Sequence, residues 1–188
     1  MVRALIGSLV GGIVMFVVSF VFWASPLAKI AYASADEQQS ANVQLALSQN
    51  LPHTGRYVVP NPDTAGGTVL YGRGPVATVD FTRGGFSTQS GSEMLGGFIH
   101  ELVVAALIAF TLLAVAGRVV DFPSRARLVI GFSAAATVLL TLSDPIWMHT
   151  GWTFPIYNLI ASFAMLAVPG LVIARWFLPV AAQSAARS

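Results

Sequence analysis

A histidine and a glutamate stand side by side near the start of a long apolar run, in the sequence GGFIHELVVAALIAF of residues 96–110. Neighbouring imidazole and carboxylate groups can bind metals, exchange protons or pair with one another. The pair His100-Glu101 also begins the His-Glu-x-x-His helix of zinc proteases, whose two histidines bind the metal from one helix face. Position 104 is Val104, so the second histidine is missing. The sequence therefore argues against a metalloprotease, and the pair has to be interpreted from its surroundings.

Those surroundings are apolar along most of the chain. Hydrophobic residues make up 55% of the 188 residues and charged residues only 10%, whereas soluble proteins carry about 25% charged residues. Cysteine is absent, which excludes disulfides, thiolate-bound zinc, iron–sulfur clusters and haem attached through cysteine. This composition is typical of a membrane protein with a small extramembrane part.

Four segments have the roughly 20 apolar residues that a helix needs to cross a bilayer. They cover residues 4–24, 94–116, 128–147 and 152–178. Pro169 predicts a kink in the fourth segment, because proline removes a backbone hydrogen bond inside a helix. Residues 33–35 have the small side chains of a signal-peptidase site. The apolar run before them is longer than the usual signal core of about 7–15 residues, so we expect the first helix to be retained.

The charges predict how these helices are oriented. If the N-terminus is cytoplasmic, the segments on that side hold six arginines and one aspartate, and the opposite side holds four basic and seven acidic residues. Positive charge collects on the cytoplasmic side of membrane proteins, and tryptophan collects at the interfaces. Trp23, Trp147 and Trp152 fall at the predicted outer interface and Trp176 at the inner one. We therefore expect both termini in the cytoplasm of a bacterium and residues 25–93 in the periplasm.

Residues 25–93 form the predicted periplasmic domain, inserted between the first and second helices. Ser34 and Glu37 have the spacing of a capping box, which predicts a helix over about 35–49. Short runs with β-forming residues predict strands at about 56–59, 68–71 and 76–81. The fold class expected is a bundle of four transmembrane helices with a small α+β periplasmic domain.

Three stretches carry a resemblance to a known group. The glycine and aromatic pattern GxxxGGxxMFxxSFxxW in the first helix, HTGRYVVP in the loop and WTFPIYNLI in the last helix are similar to small four-helix proteins of the bacterial inner membrane. That group has no assigned function. The resemblance implies an inner-membrane location and an uncleaved first helix, and it implies no catalytic residue.

Six polar residues are predicted near one depth of the bundle, toward its outer face. Ionisable groups inside a membrane usually face the protein interior and find a partner there. We interpret the cluster as a polar clasp that ties the second helix to the third and fourth. Its members are His100, Glu101, Asp144, His149, Tyr157 and Asn158.

Two alternative hypotheses, in which the protein binds a ligand, remain open. His100 and His149 could hold a b-type haem or a metal, since neutral imidazoles suit both. A quinone or lipid could occupy an apolar pocket with polar groups at one end. A proton path is not supported, because it needs polar groups at successive depths and few were found in the inner halves of the helices. No cofactor is predicted.

The first helix also has a small-residue face, formed by Gly7, Gly11 and Gly12. This spacing lets helix backbones approach closely, within one chain or between chains. No nucleophile–base set and no nucleotide loop was found, so we predict a non-enzymatic accessory, scaffold or assembly subunit. Its expected partners are the lipid bilayer and other membrane proteins or a second copy of the chain, and not nucleic acid.

Overall fold

The computed structural model describes residues 1–88 and 90–179; Arg187, one of the arginines assigned above to the cytoplasmic side, lies outside them. The chain divides into two compact units, one formed by residues 1–33 with the segment from Ser90 onward and the other by residues 34–88. Along the chain the elements are α1 (Val2–Trp23), a 3-10 helix (Pro26–Ile30), α2 (Glu37–Asn50), β1 (Gly55–Val59), α3 (Ala65–Arg73), β2 (Ala77–Phe81), α4 (Gly91–Val115), α5 (Phe122–Thr141), α6 (Ser143–Trp147) and α7 (Thr153–Trp176).

The first unit contains four helical stretches that are long and apolar enough to cross a membrane. They are Val2–Trp23, Gly91–Val115, Phe122–Trp147 and Thr153–Trp176. The third begins six residues before the predicted start at residue 128, because the Asp121 side chain accepts a hydrogen bond from the Ser124 backbone at 2.9 Å and caps α5. α7 remains helical on both sides of Pro169, which is buried. The chain is therefore a multi-pass membrane protein by the length and composition of its helices.

Helix α1 lies between two neighbours in this unit. It packs along both α4 and α7, and α5 packs along α7. The rings of Phe16 on α1 and Phe98 on α4 meet edge to face with centroids 5.4 Å apart. Met15, Leu112, Val129 and Ile173 belong to one buried apolar cluster. The helices thus share a continuous core to which α1, α4, α5 and α7 all contribute.

The glycines of α1 lie where its two neighbours come closest. A Cβ atom added to Gly7 would lie 2.7 Å from the Phe177 Cβ, and one added to Gly11 would lie 2.7 Å from the Ile173 Cδ1. A Cβ atom on Gly12 would lie 2.5 Å from the Leu102 Cδ2. The small-residue face therefore contacts α7 and the segment just after it through Gly7 and Gly11, and α4 through Gly12.

Helix α2 opens the second unit, and it starts later than predicted. Asp36, not Ser34, caps it: the Asp36 side chain accepts a bond from the Gln39 backbone at 2.7 Å, and the Gln39 side chain accepts one from the Asp36 backbone at 3.1 Å. The predicted box of Ser34 with Glu37 was wrong because an aspartate two residues later meets the same requirement.

The two strands of the second unit form a two-stranded antiparallel sheet, and α3 lies between them in the chain. Gly55 pairs with Phe81 and Val59 with Ala77. The Arg56 and Asp80 side chains lie opposite one another, 3.4 Å apart and exposed. Arg83, from the glycine-rich TRGG turn, donates hydrogen bonds from its guanidinium to the backbone carbonyls of Leu51 and Pro52. This arginine therefore joins the chain after β2 to the chain before β1.

The predicted strand at 68–71 was wrong, because this segment lies inside helix α3. Thr64 caps the helix by accepting a bond from the Gly67 backbone at 3.0 Å, and Gly74, with a positive φ of 67°, ends it. The apolar run Val69-Leu70-Tyr71 favours a strand by composition. The two end signals outweigh that preference here, since they satisfy backbone groups that a helix leaves free.

Gly67 is the glycine with the closest neighbour, and it provides a test of this unit. A Cβ atom on Gly67 would lie 1.8 Å from the Asn61 carbonyl oxygen, whereas one on Gly66 would meet nothing within 4 Å. We expect Gly67→Ala to speed amide hydrogen exchange of α3 about tenfold, since overpacking costs about 1–3 kcal/mol. Gly66→Ala is the control, and its exchange should stay unchanged or slow slightly. Equal exchange in both variants would contradict the close approach at Asn61.

Candidate functional site

Glu101 lies deep in the packed part of α4. Its side chain is 4% exposed, and the Ser19 hydroxyl of α1 lies close enough to hydrogen-bond with its carboxyl group. The second carboxyl oxygen, Oε2, is buried and has no hydrogen-bond partner in the described part of the chain. His100, next to it, is exposed on the helix surface. The partner of Glu101 is therefore on α1 and not on the third or fourth transmembrane helix.

Tyr157 ties α7 to the same first helix. Its hydroxyl donates a hydrogen bond of 2.5 Å to the backbone carbonyl of Phe22. Its ring meets those of Phe22 and Trp23 nearly at right angles, with centroids 6.0 and 5.4 Å away. Because Phe22 and Trp23 end α1, this contact holds the end of α1 against the beginning of α7.

Asp144 and Asn158 line one cavity, of about 470 Å³, where α5 ends and α7 begins. Asp144 is exposed and Asn158 is half-buried. The Asn158 side-chain oxygen accepts a hydrogen bond from the Ser162 hydroxyl at 3.0 Å. Of the six residues singled out from the sequence, these two share a concave site of the size that binds small molecules.

The two candidate haem or metal ligands are placed separately from that cavity. His100 is exposed on α4, and His149 is exposed in the connection between α6 and α7, where its φ is 52°. Neither lines the cavity. Among residues 1–88 and 90–179, no three His, Cys, Asp or Glu residues are grouped so that they could hold a metal ion. The geometry therefore adds no support to the haem or metal hypothesis.

A line of hydroxyl groups on α5 was missed in reading the sequence. Ser133, Thr137 and Thr141 are all buried, four residues apart. The Thr141 hydroxyl donates to the Thr137 carbonyl at 2.7 Å, and the Thr137 hydroxyl donates to the Ser133 carbonyl at 2.8 Å. The regular spacing of four is the signal that identifies them, since it places side chains on one helix face. This face packs against α7 and reaches the cavity at Thr141.

Arg125, on the same face of α5, has a role that the charge count did not suggest. It is 4% exposed, and its Nε donates to the Val119 carbonyl at 2.8 Å while its Nη2 donates to the Pro179 carbonyl at 2.7 Å. It thus joins the loop before α5 to the chain after α7. Nearby, hydrogen bonds from Ser124 lower the pKa of Asp121, which stands just outside the helix.

These features define a class: a membrane protein with four helices able to span a bilayer, a second compact unit inserted between the first two of them, and a cavity lined by Asp144 and Asn158 where α5 ends and α7 begins. Comparisons with family models, curated proteins and solved structures found no match for the chain.

Proposed function

We propose that this protein is a non-enzymatic accessory or assembly subunit of a bacterial inner membrane, and that a protein partner covers residues 34–88. The observation that carries the proposal is that none of residues 34–88 is buried. Folded units bury apolar side chains to offset the entropy lost on folding. A unit without a buried residue is therefore best stabilised by a surface from another molecule.

The composition of this unit supports such a partner. Seven large apolar side chains within it are more than a third exposed: Val43, Leu45, Val59, Val69, Leu70, Val76 and Phe86. Within residues 34–88, α2 and α3 make no extensive contact with another element, and an isolated pair of strands is at best marginally stable in water. The partner is another membrane protein or a second copy of the chain.

The distribution of charge supports the proposed orientation. Antiparallel packing puts the end of α4, the start of α5 and the end of α7 at one end of the bundle, where Arg118, Arg125, Arg127 and Arg175 are found. By the positive-inside rule this end is cytoplasmic. Residues 25–93 are then periplasmic, and the partner meets them outside the cytoplasm.

A photo-crosslinking amino acid placed at Val43 of the full-length protein tests the proposal in native membranes. Val43 is 57% exposed on α2, and we expect a crosslink to one defined protein, or to a second copy, that survives purification in mild detergent. Val43→Asp should abolish recovery of that partner. Gln44→Asp, which adds the same charge at the next exposed position, should leave it unchanged. A chain that is monomeric after gentle solubilisation and gives no crosslink would refute the proposal.

A further inference from the structure

The cavity at the end of α5 has walls from four parts of the first unit, one of which is α6 with Asp144. Ala31, Tyr32 and Ala33 follow the 3-10 helix, Leu140 and Thr141 end α5, and residues 150–158 lead into and begin α7. Its volume of about 470 Å³ is within the usual range of about 300–1,000 Å³ for ligand pockets. A small polar molecule or the headgroup of a lipid fits this space.

The charges of the residues that line the cavity indicate the charge of its ligand. Among the described residues that line it, Asp144 is the only charged one, and none is a lysine or an arginine. Among the described residues, no ion pair or side-chain hydrogen bond engages the Asp144 carboxylate. An anionic ligand would meet repulsion and no compensating cation, whereas a cationic one would find an unoccupied carboxylate.

Two neutral polar side chains that line the cavity have an oxygen that can accept a hydrogen bond. The Thr141 hydroxyl proton is engaged by the Thr137 carbonyl, so the Thr141 oxygen is left with lone pairs. The Asn158 amide oxygen takes one bond from Ser162 and retains a second lone pair. With Asp144 these oxygens can receive several N–H donors from one ligand group.

Two aromatic rings complete the site. Tyr32 and Phe154 both line the cavity, and their centroids are 5.4 Å apart at an angle of 45°. Aromatic faces attract cations through the negative charge of the ring face. A carboxylate, two oxygen acceptors and two rings together match an ammonium group attached to a small organic body.

We propose that this cavity binds a primary ammonium group. A primary ammonium carries three N–H donors for the oxygens of Asp144, Thr141 and Asn158, whereas a quaternary ammonium carries none. The ligand is either the ethanolamine headgroup of a phospholipid or a soluble primary amine, and both present the same group. This inference does not depend on the proposed protein partner, because the crosslink at Val43 and amine binding at Asp144 are measured separately.

Native mass spectrometry of the full-length protein in mild detergent tests the proposal with defined lipids. Phosphatidylethanolamine should bind at least tenfold more tightly than phosphatidylcholine or phosphatidylglycerol. Asp144→Asn should weaken this binding at least tenfold, and Phe154→Leu should weaken it severalfold. Asp80→Asn is the matched control, because Asp80 is an exposed aspartate in β2, and it should bind as the unchanged protein does.

A second arm identifies the source of the amine. If ethanolamine itself binds in an Asp144-dependent way and phosphatidylethanolamine does not, the ligand is a soluble amine and the ammonium site is supported. If the three lipids bind equally, or if folded Asp144→Asn binds phosphatidylethanolamine and ethanolamine like the unchanged protein, the proposal is overturned. Thermal unfolding verifies that the variant is folded. If Asp144→Asn does not fold, the proposal is tested instead by the preference of the unchanged protein among the three lipids and by the effect of Phe154→Leu on phosphatidylethanolamine binding.

Discussion

Replacing Gly12 with leucine is expected to separate α1 from α4 and to lower the thermal unfolding midpoint by about 6–12 °C. A Cβ atom at this position would lie 2.5 Å from the Leu102 Cδ2 and 3.1 Å from the Leu102 Cα. A side chain can rotate away, but the Cα atom moves only if the whole of α4 shifts. Inserting a large group into such a contact costs about 3 kcal/mol, near the upper end of the usual range.

Gly131→Leu is the matched control for this experiment. Gly131 lies within α5 and is exposed, and a Cβ atom there would meet nothing within 4 Å. Both variants add the same apolar side chain to a spanning helix, so their effects on membrane insertion are equal. The midpoint of each is measured by heating the protein in mild detergent and following the folded fraction by size-exclusion chromatography. Similar midpoints for the two variants would show that the α1–α4 contact at Gly12 is not close.

Arg125→Ala is expected to destabilise the end of the bundle that we propose to be cytoplasmic, by about 2–4 kcal/mol. The guanidinium donates one hydrogen bond to the Val119 carbonyl and one to the Pro179 carbonyl. Hydrogen bonds from a charged donor contribute about 1.5–3 kcal/mol each, and water that enters the gap would replace part of them. Hydrogen exchange of the last turn of α7 and the thermal midpoint both report this loss.

Arg127→Ala separates this effect from a simple loss of positive charge. Arg127 stands two residues further along α5 and is exposed, so its removal should change the free energy of unfolding by less than about 0.5 kcal/mol. Arg125→Lys should recover only part of the stability, because an ammonium lacks the planar fork that reaches two carbonyls at once. If Arg125→Ala and Arg127→Ala behaved alike, the bridging role of Arg125 would be excluded.

The spanning helices were predictable because their cause is local. A run of about 20 apolar residues satisfies its backbone within a helix and leaves apolar side chains for lipid. The predicted range 94–116 and the observed α4, Gly91–Val115, differ by a few residues at the ends. The predicted 128–147 is divided between α5 and α6, since the helix breaks near Leu142 before a new turn starts at Ser143.

The inserted unit was less predictable because weak local signals compete there. Residues 56–59 and 76–81 were recognised as strands from their alternating and β-branched residues, and they pair as β1 and β2. Residues 68–71 have a similar composition, but capping by Thr64 and the positive φ of Gly74 select a helix. Such end effects involve one or two hydrogen bonds. The composition of the segment alone therefore does not show whether they outweigh its preference for a strand.

The contacts of the six polar residues were also only partly predictable from the sequence. Their types and positions indicated six groups near one depth, yet the sequence could not pair them. In the structure Glu101 and Tyr157 contact α1, Asp144 and Asn158 line the cavity, and His100 and His149 are exposed. The first helix was not expected to join these groups, because the order of helices in space is not contained in their individual composition.

The sequence by itself determined that this chain has four spanning helices, that it lacks cysteine chemistry and that charge is concentrated at one predicted side. These properties depend on composition and on short-range periodicity, which every segment carries alone. Only the tertiary structure decided that α1 lies between α4 and α7, that Arg125 joins the loop before α5 to Pro179 after α7 and that Asp144 lines the same cavity as Tyr32 and Phe154. Each of these depends on contacts between residues distant in the chain, and close packing selects among many arrangements that the same apolar helices would otherwise allow.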